Sequence, residues 1–194
     1  MSWDRRRVLR AGGALAGVSA AALLMGTARA RAPAAAHMLR KSDTAGAKRI
    51  ALLNLHTDER LEIEFSRDGV YVPEALSAIE VLLRDFRTGD RHVIDPRLMD
   101  YLVEVAHRAQ ADPVFSVISG YRSPQTNADL REKSAGVAQH SLHMEGRAID
   151  VRMTGTDCAN LAAHAEDLQR GGVGYYRGSD FVHLDTGAFR TWKG

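Results

Sequence analysis

Two histidines and one aspartate in the C-terminal half of the chain have the residue types and the spacing of a metal site. His143 lies seven residues before Asp150, and His183 follows 33 residues after that aspartate. Zinc binds imidazole nitrogen and carboxylate oxygen, and a catalytic zinc usually has three protein ligands and one water. These three side chains therefore predict one zinc ion per chain, with one coordination position left open.

The residues between the first two ligands indicate how the backbone would position them. Gly146 lets the chain bend tightly between His143 and the strand predicted at residues 147–153. Because successive side chains of a strand point to opposite faces, Asp150 shares its face with Arg152, and the apolar residues occupy the other. The apolar face is expected to join the core, which leaves Asp150 facing a cleft.

The third ligand lies on a second predicted strand, residues 181–186. Two interpretations of Asp185, on the same face as His183, stay open. It could accept a hydrogen bond from the ring of His183 and fix its orientation, or it could cap the turn after the strand. His140 and His164 are not expected to be ligands, because the first falls in a loop and the second in a predicted helix.

The first 30 residues predict an export signal. A twin-arginine run at residues 5–7 precedes an apolar segment at residues 11–26, and an Ala-x-Ala cleavage signal ends at Ala30. The paired arginines indicate the twin-arginine export machinery, and an apolar core of 16 residues is short for a membrane span. The protein is expected in the periplasm or cell envelope, with a membrane contact only if the leader stays uncleaved as an anchor.

Charge and cysteine content exclude two further classes of protein. Five arginines and one aspartate give the leader a net charge of +4, so residues 31–194 carry −2 of the chain's total of +2. Binding to nucleic acid would need a basic patch on the domain itself, so no nucleic-acid partner is expected. The single cysteine, Cys158, cannot form an internal disulfide and is expected as a buried thiol.

Hydrophobic periodicity predicts one α+β domain at residues 47–194, preceded by a flexible tether at residues 31–46. Residues 48–56 and 61–67 predict a β-hairpin. Helical spacing starts at Pro73 and extends to Phe86. The other predicted elements are a helix capped by Asp95, a strand at residues 114–119, a helix from Pro124 to Leu130, a strand at 147–153, a helix at 156–170 and strands at 173–176 and 181–186. This mixture favours a mainly antiparallel sheet with flanking helices.

Several motifs occur in an order that resembles the M15 family of zinc peptidases. The central one is the run Ser-x-His-x-x-Gly-x-Ala-x-Asp at residues 141–150. Others stand at residues 83–89, 94–98, 119–123 and 171–187. The pattern is most similar to the murein endopeptidase K subgroup of that family, and the resemblance covers roughly residues 48–194.

The resemblance implies a fold like that of hedgehog domains and D-Ala-D-Ala peptidases. It also implies one zinc ion held by His143, Asp150 and His183, and cleavage of peptide cross-links in peptidoglycan. Arg122 matches an arginine that faces the substrate, where a fixed cation can polarise the scissile carbonyl or hold a carboxylate. The alternative for Arg122 is a solvated arginine in a turn.

The general base is the role that the sequence determines least. Members of the family carry Glu or His two or three residues before the last zinc ligand, where this chain has Phe181 and Asp180. Asp180 could accept a proton from zinc-bound water, or it could be a turn residue. Glu145, two residues after His143, is the alternative base.

Together these observations predict an exported, zinc-dependent murein endopeptidase that acts on the peptide stems of peptidoglycan. A D,D- or L,D-carboxypeptidase of the same family is one alternative. A non-catalytic zinc module that binds cell wall is another, because the usual Glu or His before His183 is absent.

Overall fold

Eight strands and four α-helices make up the part of the chain that this computed structural model describes, residues 46–134 and 136–194. The strands are β1 (Ala47–Asn54), β2 (Arg60–Arg67), β3 (Val70–Tyr71), β4 (Val114–Ser119), β5 (Ala148–Met153), β6 (Gly172–Tyr176), β7 (Phe181–Asp185) and β8 (Arg190–Lys193). The helices are α1 (Pro73–Leu82), α2 (Pro96–Arg108), α3 (Pro124–Lys133) and α4 (Cys158–Leu168). The predicted leader and nearly all of the predicted tether lie outside the described residues.

The eight strands form one sheet in the order β3-β2-β1-β4-β5-β7-β6-β8. Five of the seven neighbouring pairs are antiparallel, and β1–β4 and β6–β8 are parallel. The predicted α+β class with a mainly antiparallel sheet is therefore confirmed. In the described part of the chain, no helix has the length and apolar character needed to span a membrane.

The core lies between one face of the sheet and the helices. Ile149 and Val151 of β5 and Val182 and Leu184 of β7 belong to one buried cluster with the inner faces of α2 and α4. Cys158, the first residue of α4, is buried and unpaired in the same cluster. Because strand side chains alternate, the opposite face of β5 and β7 is the one left for functional residues.

Two predicted helix starts are confirmed by their caps. The carboxylate of Asp95 accepts a hydrogen bond from the N–H of Arg97 at the start of α2, and the hydroxyl of Ser123 accepts one from Thr126 at the start of α3. These bonds satisfy N–H groups that have no partner inside a helix. The hairpin of β1 and β2 forms as predicted.

The first helix ends at Leu82, a full turn before the predicted end at Phe86, and the cause is tertiary. The carbonyl of Leu82 accepts from the side-chain amide of Asn54 at 3.0 Å. The carbonyl of Leu83 accepts from the N–H of Tyr121 at 2.7 Å. These carbonyls are the acceptors that another helical turn would have needed.

Candidate metal centre

The three predicted ligands meet on the open face of the sheet. Asp150 on β5 and His183 on β7 are direct partners in the antiparallel register, and His143 lies on a 3-10 turn, Leu142–Glu145. Their potential ligand atoms all lie within 4.8 Å of one another. The three residues are 2 %, 6 % and 9 % exposed for His143, Asp150 and His183, so the cluster is buried although its members are polar.

Gly146 closes the turn that brings His143 back to β5. Its φ of +65° lies in the left-handed region, and a Cβ there would lie 2.0 Å from the carbonyl oxygen of Val93. A side chain at this position would therefore be excluded both by the conformation and by the neighbouring backbone. This confirms the predicted tight bend between the two ligands.

Hydrogen bonds outside the cluster fix which nitrogen of each ring faces inward. Nδ1 of His143 lies 2.7 Å from the carbonyl oxygen of Gly120. A carbonyl only accepts, so Nδ1 carries the proton and Nε2 is left with a free lone pair. Nε2 of His183 donates to a carboxylate oxygen of Asp185 at 3.0 Å, so Nδ1 is the nitrogen of this ring that faces the other two predicted ligands.

Two ring nitrogens and one carboxylate oxygen face the centre of the cluster. Nε2 of His143 lies 3.2 Å from Nδ1 of His183. Oδ1 of Asp150 lies 3.3 Å from the first nitrogen and 2.9 Å from the second. Bonds of about 2.0–2.1 Å to a tetrahedral zinc place ligand atoms roughly 3.3 Å apart. The donor set and its spacing therefore fit zinc.

The electrostatics of the cluster favour a positive charge at its centre. Burial lowers the pKa of His143. Burial would also lower the pKa of His183, but hydrogen bonds to Asp150 and Asp185 outweigh it and raise this pKa to about 9. Burial would raise the pKa of Asp150, but the two histidines hold it well below its usual range. A proton or a metal cation at this point relieves the same charge imbalance.

Asp185 performs both of the roles that the sequence left open. It is fully buried, and its Oδ2 accepts from the ring of His183, while its Oδ1 accepts from the N–H groups of Gly172 and Gly187 at 3.0 and 2.8 Å. The carboxylate therefore orients a ligand ring and closes the turn after β7 at the same time. Arg190 adds an ion pair at 2.6 Å.

Arg122 lies beside the three predicted ligands. Its side chain is 12 % exposed, and Nη2 lies 3.7 Å from Oδ2 of Asp150. Nη1 donates to the side chain of Asn127 at 3.3 Å. Nε has no hydrogen-bond partner among the described residues although it is buried, and burial lowers the pKa of the guanidinium. The side chain is thus a fixed cation with an unused donor.

A buried aspartate that the sequence reasoning missed holds the loop of Arg122. Oδ2 of Asp85 accepts from the N–H and the hydroxyl of Ser123 at 2.9 and 2.8 Å. In the same loop, a Cβ on Gly120 would lie 2.5 Å from the carbonyl oxygen of Leu83. Asp85 sits inside the motif at residues 83–89, so the signal was present, but nothing in the motif showed what the carboxylate binds.

The two predicted proton carriers lie apart from the ligands. The side chain of Asp180 is 71 % exposed and pairs with Arg152 at 3.3 Å. That of Glu145 is 52 % exposed and pairs with Arg147 at 2.9 Å. Neither is among the described residues that line the cavity over the ligands. We call Asp180 and Glu145 the rim pair, and their assignment as general base stays a prediction.

A cavity of about 470 Å³ opens above the ligands. One wall consists of aromatic and cationic side chains from the β6–β7–β8 edge. The other is formed by the chain between the end of α3 and the 3-10 turn. His140, predicted as a non-ligand, lies on the second wall, and His164 is in α4. The side chains of the first wall that sequence reasoning missed are Tyr176, Arg190 and Trp192.

Comparisons with known proteins identify the family of this chain. Residues 30–192 match the model of a peptidase M15 family described as "Peptidoglycan L,D-endopeptidase MepK". The chain is 43 % identical over 142 residues to a probable peptidoglycan L,D-endopeptidase MepK of Haemophilus influenzae, which covers 73 % of this chain and 76 % of the relative. It is 37 % identical over 189 residues to the peptidoglycan L,D-endopeptidase MepK of Escherichia coli K12, which covers 97 % of each. No solved structure matches the chain.

Proposed function

Since this chain belongs to the peptidase M15 family of peptidoglycan L,D-endopeptidases, we propose that it is a zinc-dependent murein endopeptidase that hydrolyses peptide cross-links of peptidoglycan. The observation that carries the proposal is the convergence of three possible metal-ligand atoms on the floor of a 470 Å³ cavity. We further propose that residues 47–194 are the peptidase domain, with the fold of hedgehog domains and D-Ala-D-Ala peptidases.

The ligand set would hold one zinc ion through His143, Asp150 and His183. When bound, zinc supplies a Lewis acid that polarises a carbonyl and lowers the pKa of a coordinated water. Asp185 and the carbonyl of Gly120 keep the two rings in the tautomer that binding requires. The protein therefore holds its ligands ready, and little reorganisation is needed on metal binding.

Arg122 is proposed to stabilise the negative charge that develops on the carbonyl oxygen during attack. Its guanidinium is already desolvated and fixed by Asn127, so it needs no reorganisation when charge develops on the oxygen. A surface arginine would be weaker here, because water would screen its charge.

Proton transfer to the leaving amine is proposed to use Asp180 or, failing that, Glu145. Each side chain of the rim pair is bound to an arginine outside the cavity. Either role therefore requires the carboxylate to leave its arginine partner. Both ion pairs are exposed, and exposed pairs of this kind are worth only about 0–1 kcal/mol, so the release is inexpensive.

Digestion of purified cross-linked muropeptides tests the proposed reaction. We expect cleavage by the zinc-loaded protein, loss of cleavage with a chelator and recovery when zinc is added back. Mass spectrometry of the products identifies the bond. Release of a terminal D-residue without cross-link cleavage would instead indicate a carboxypeptidase.

A non-catalytic wall-binding module is the second candidate, and the position of the rim pair favours it. Neither carboxylate lines the cavity among the described residues, and the Glu or His usual in the family is absent. This candidate predicts zinc-dependent binding to purified sacculi without any new peptide termini. Cosedimentation with sacculi, combined with the digestion assay, separates it from the enzyme.

The protein is also proposed to act in the periplasm or cell envelope after export by the twin-arginine machinery. The support is the sequence of residues 5–30 and the peptidoglycan substrate named for the relatives. Replacing Arg5, Arg6 and Arg7 together by Lys is expected to trap the precursor in the cytoplasm. Normal amounts of the triple variant outside the inner membrane would contradict the route.

A further inference from the structure

The β6–β8 wall of the cavity carries a cation to which no role has yet been given. Arg190 and Trp192 lie on β8, an edge strand that runs parallel to β6. Both side chains line the cavity that contains His183, and the ring of Trp192 has its centroid 5.2 Å from that of His183. The last strand of the sheet therefore delivers two side chains to the immediate surroundings of a metal ligand.

Two glycines of β6 leave room for these side chains. Gly172 and Gly174 are the register partners of Arg190 and Trp192. A Cβ on Gly172 would lie 2.4 Å from Oδ2 of Asp185 and 2.6 Å from Nη1 of Arg190, and one on Gly174 would lie 2.4 Å from the ring of Trp192. Glycine inside a strand marks a place where another group approaches closely. A side chain at either position of β6 would therefore crowd the arginine or the tryptophan.

The guanidinium of Arg190 is held at one edge and unused at the other. Nη1 and Nη2 donate to the two oxygens of Asp185 at 3.1 and 2.6 Å, and Nη1 also donates to the carbonyl of Ala188. The remaining edge consists of Nε–H and the second N–H of Nη2, and no described residue accepts from Nε. The side chain is 48 % exposed, so this edge is open to a ligand.

The charge of Arg190 is only partly offset by its partner. Asp185 also accepts from the ring of His183 and from two backbone N–H groups, those of Gly172 and Gly187. Its negative charge is therefore shared among four sets of donors. A planar guanidinium fork with two free donors matches a carboxylate in a bidentate geometry.

We propose that Arg190 is a specificity-determining residue that binds a free carboxylate of the substrate beside the scissile bond. The inference rests on the proposed endopeptidase function and names the substrate class: a cross-linked peptide in which the carbon bearing the leaving amine also carries a carboxylate. A cross-link through a side-chain amino group of a diamino acid has this chemistry. Asp185 joins Arg190 to His183, which places the carboxylate subsite next to the metal centre.

Trp192 completes the subsite. The guanidinium carbon of Arg190 lies 5.1 Å from the centroid of its ring, within the range of a cation–π interaction. Its indole N–H donates to the hydroxyl of Tyr176 at 3.0 Å, which fixes the plane of the ring. The ring thus holds the arginine from one side and offers the apolar part of the substrate a flat surface.

Two synthetic cross-linked peptides test the subsite in the full-length, zinc-loaded protein. They differ only in whether the carbon bearing the leaving amine carries a carboxylate or a carboxamide. A charged bidentate hydrogen bond gives the carboxylate peptide a kcat/KM about 10–100-fold higher than its amide. In Arg190→Gln the preference is lost, because kcat/KM for the carboxylate peptide falls about 10–100-fold further than kcat/KM for the amide. Arg190→Lys retains part of the preference, because lysine keeps the charge and loses the fork.

Arg108→Gln is the matched control, because it removes an exposed arginine that also pairs with an aspartate, Asp167, outside the cavity. It is expected to keep the wild-type preference. Equal kcat/KM for the two peptides in the wild type overturns the subsite, and so does an equal fall for both peptides in Arg190→Gln, which would show a structural role for Arg190. The zinc content of each variant is measured in the same preparations.

If the wild type cleaves neither peptide, the proposed endopeptidase function is wrong. The carboxylate subsite is then tested by measuring how tightly each peptide binds. The chain has two tryptophans, so Trp3→Phe leaves Trp192 as the only fluorescent reporter of this kind. Tighter binding of the carboxylate peptide by that protein, lost on adding Arg190→Gln, supports the subsite. Equal binding of both peptides overturns it.

Discussion

The floor of the cavity and the rim pair are built in opposite ways. On the floor, His143, Asp150 and His183 are at most 9 % exposed, and each ring has its outer nitrogen bonded to a fixed acceptor. In the rim pair, the side chains of Asp180 and Glu145 are 71 % and 52 % exposed, and each forms an ion pair with an arginine at the surface. Hydrogen bonds hold each ring of the floor in one orientation, whereas the exposed rim carboxylates can exchange their partners.

This difference reflects two kinds of chemistry. A metal centre needs lone pairs that are fixed before the ion arrives, and outer hydrogen bonds supply that order. A proton carrier must exchange protons between water and a leaving group, and needs reach and a suitable pKa more than rigidity. The floor is therefore expected to respond to substitution as one unit, while each rim carboxylate responds alone.

The largest effect is expected from His143→Ala, which removes one floor ligand. We expect the variant to lose most of its zinc and its hydrolysis. Loss of a residue that hydrogen-bonds a ligand lowers metal affinity by roughly 10–100-fold, and loss of the ligand itself should lower it further. The fold should persist, because the core lies on the other face of the sheet. Metal analysis and circular dichroism measure both, with His164→Ala in α4 as the matched control. Full zinc occupancy in His143→Ala would contradict the ligand assignment.

A smaller loss is expected from Arg122→Gln, which removes a floor cation without removing a ligand. Loss of one preorganised donor to a developing oxyanion costs on the order of 100–1000-fold in kcat. Zinc content is expected to stay at the wild-type level, and Arg108→Gln should leave kcat unchanged. If the variant instead loses zinc while its remaining holoenzyme keeps a normal kcat, Arg122 supports the ligands and takes no part in the reaction.

The same contrast explains how far the sequence could predict the site. The clustering of His143, Asp150 and His183 was accessible from sequence because their residue types, the glycine after His143 and the strand alternation all constrain the same geometry. Gly146 marked the bend, and the alternation on β5 placed Asp150 opposite Ile149 and Val151. These are local rules, and each of them held in the structure.

What the sequence could not show depends on partners far along the chain. The early end of α1 follows from carbonyls taken by Asn54 and Tyr121. Asp85 acquires its role only because Ser123, 38 residues later, folds against it. The strand β8 has four residues and little alternation of polar and apolar side chains, so its sequence alone did not predict it. Its place in the sheet depends on the room that Gly172 and Gly174 leave for its side chains.

The rim pair is the next place where the contrast can be tested, and the expected effect is about 100-fold on hydrolysis for loss of a general base. Asp180→Asn should retain zinc and lose activity to that extent. Asp58→Asn is a matched control, because both aspartates have a left-handed φ, 52° and 56°, that asparagine tolerates. Normal cleavage by Asp180→Asn together with loss in Glu145→Gln moves the role to Glu145. If neither change matters, the proton passes through water or Asp185.

The smallest expected effect is on the free energy of unfolding of the metal-free protein and its dependence on pH. In the folded chain the pKa of His183 is raised from 6.5 to about 9 by Asp150 and Asp185. The folded state thus holds this proton more tightly than the unfolded state does. Its contribution is complete below pH 6.5 and is lost as the pH rises through about 9, by up to about 3 kcal/mol in the free energy of unfolding.

Denaturant unfolding of the metal-free and zinc-loaded protein between pH 6.5 and 9 measures this loss. Zinc replaces the proton as the positive charge between the carboxylates, so the zinc-loaded protein should lose less stability over that range. Asp185→Asn should flatten the metal-free curve, because one of the two carboxylates that raise the pKa of His183 is gone. A metal-free protein whose stability is constant or rises with pH would show that the floor does not favour a cation, and the contrast with the rim pair would lose its electrostatic basis.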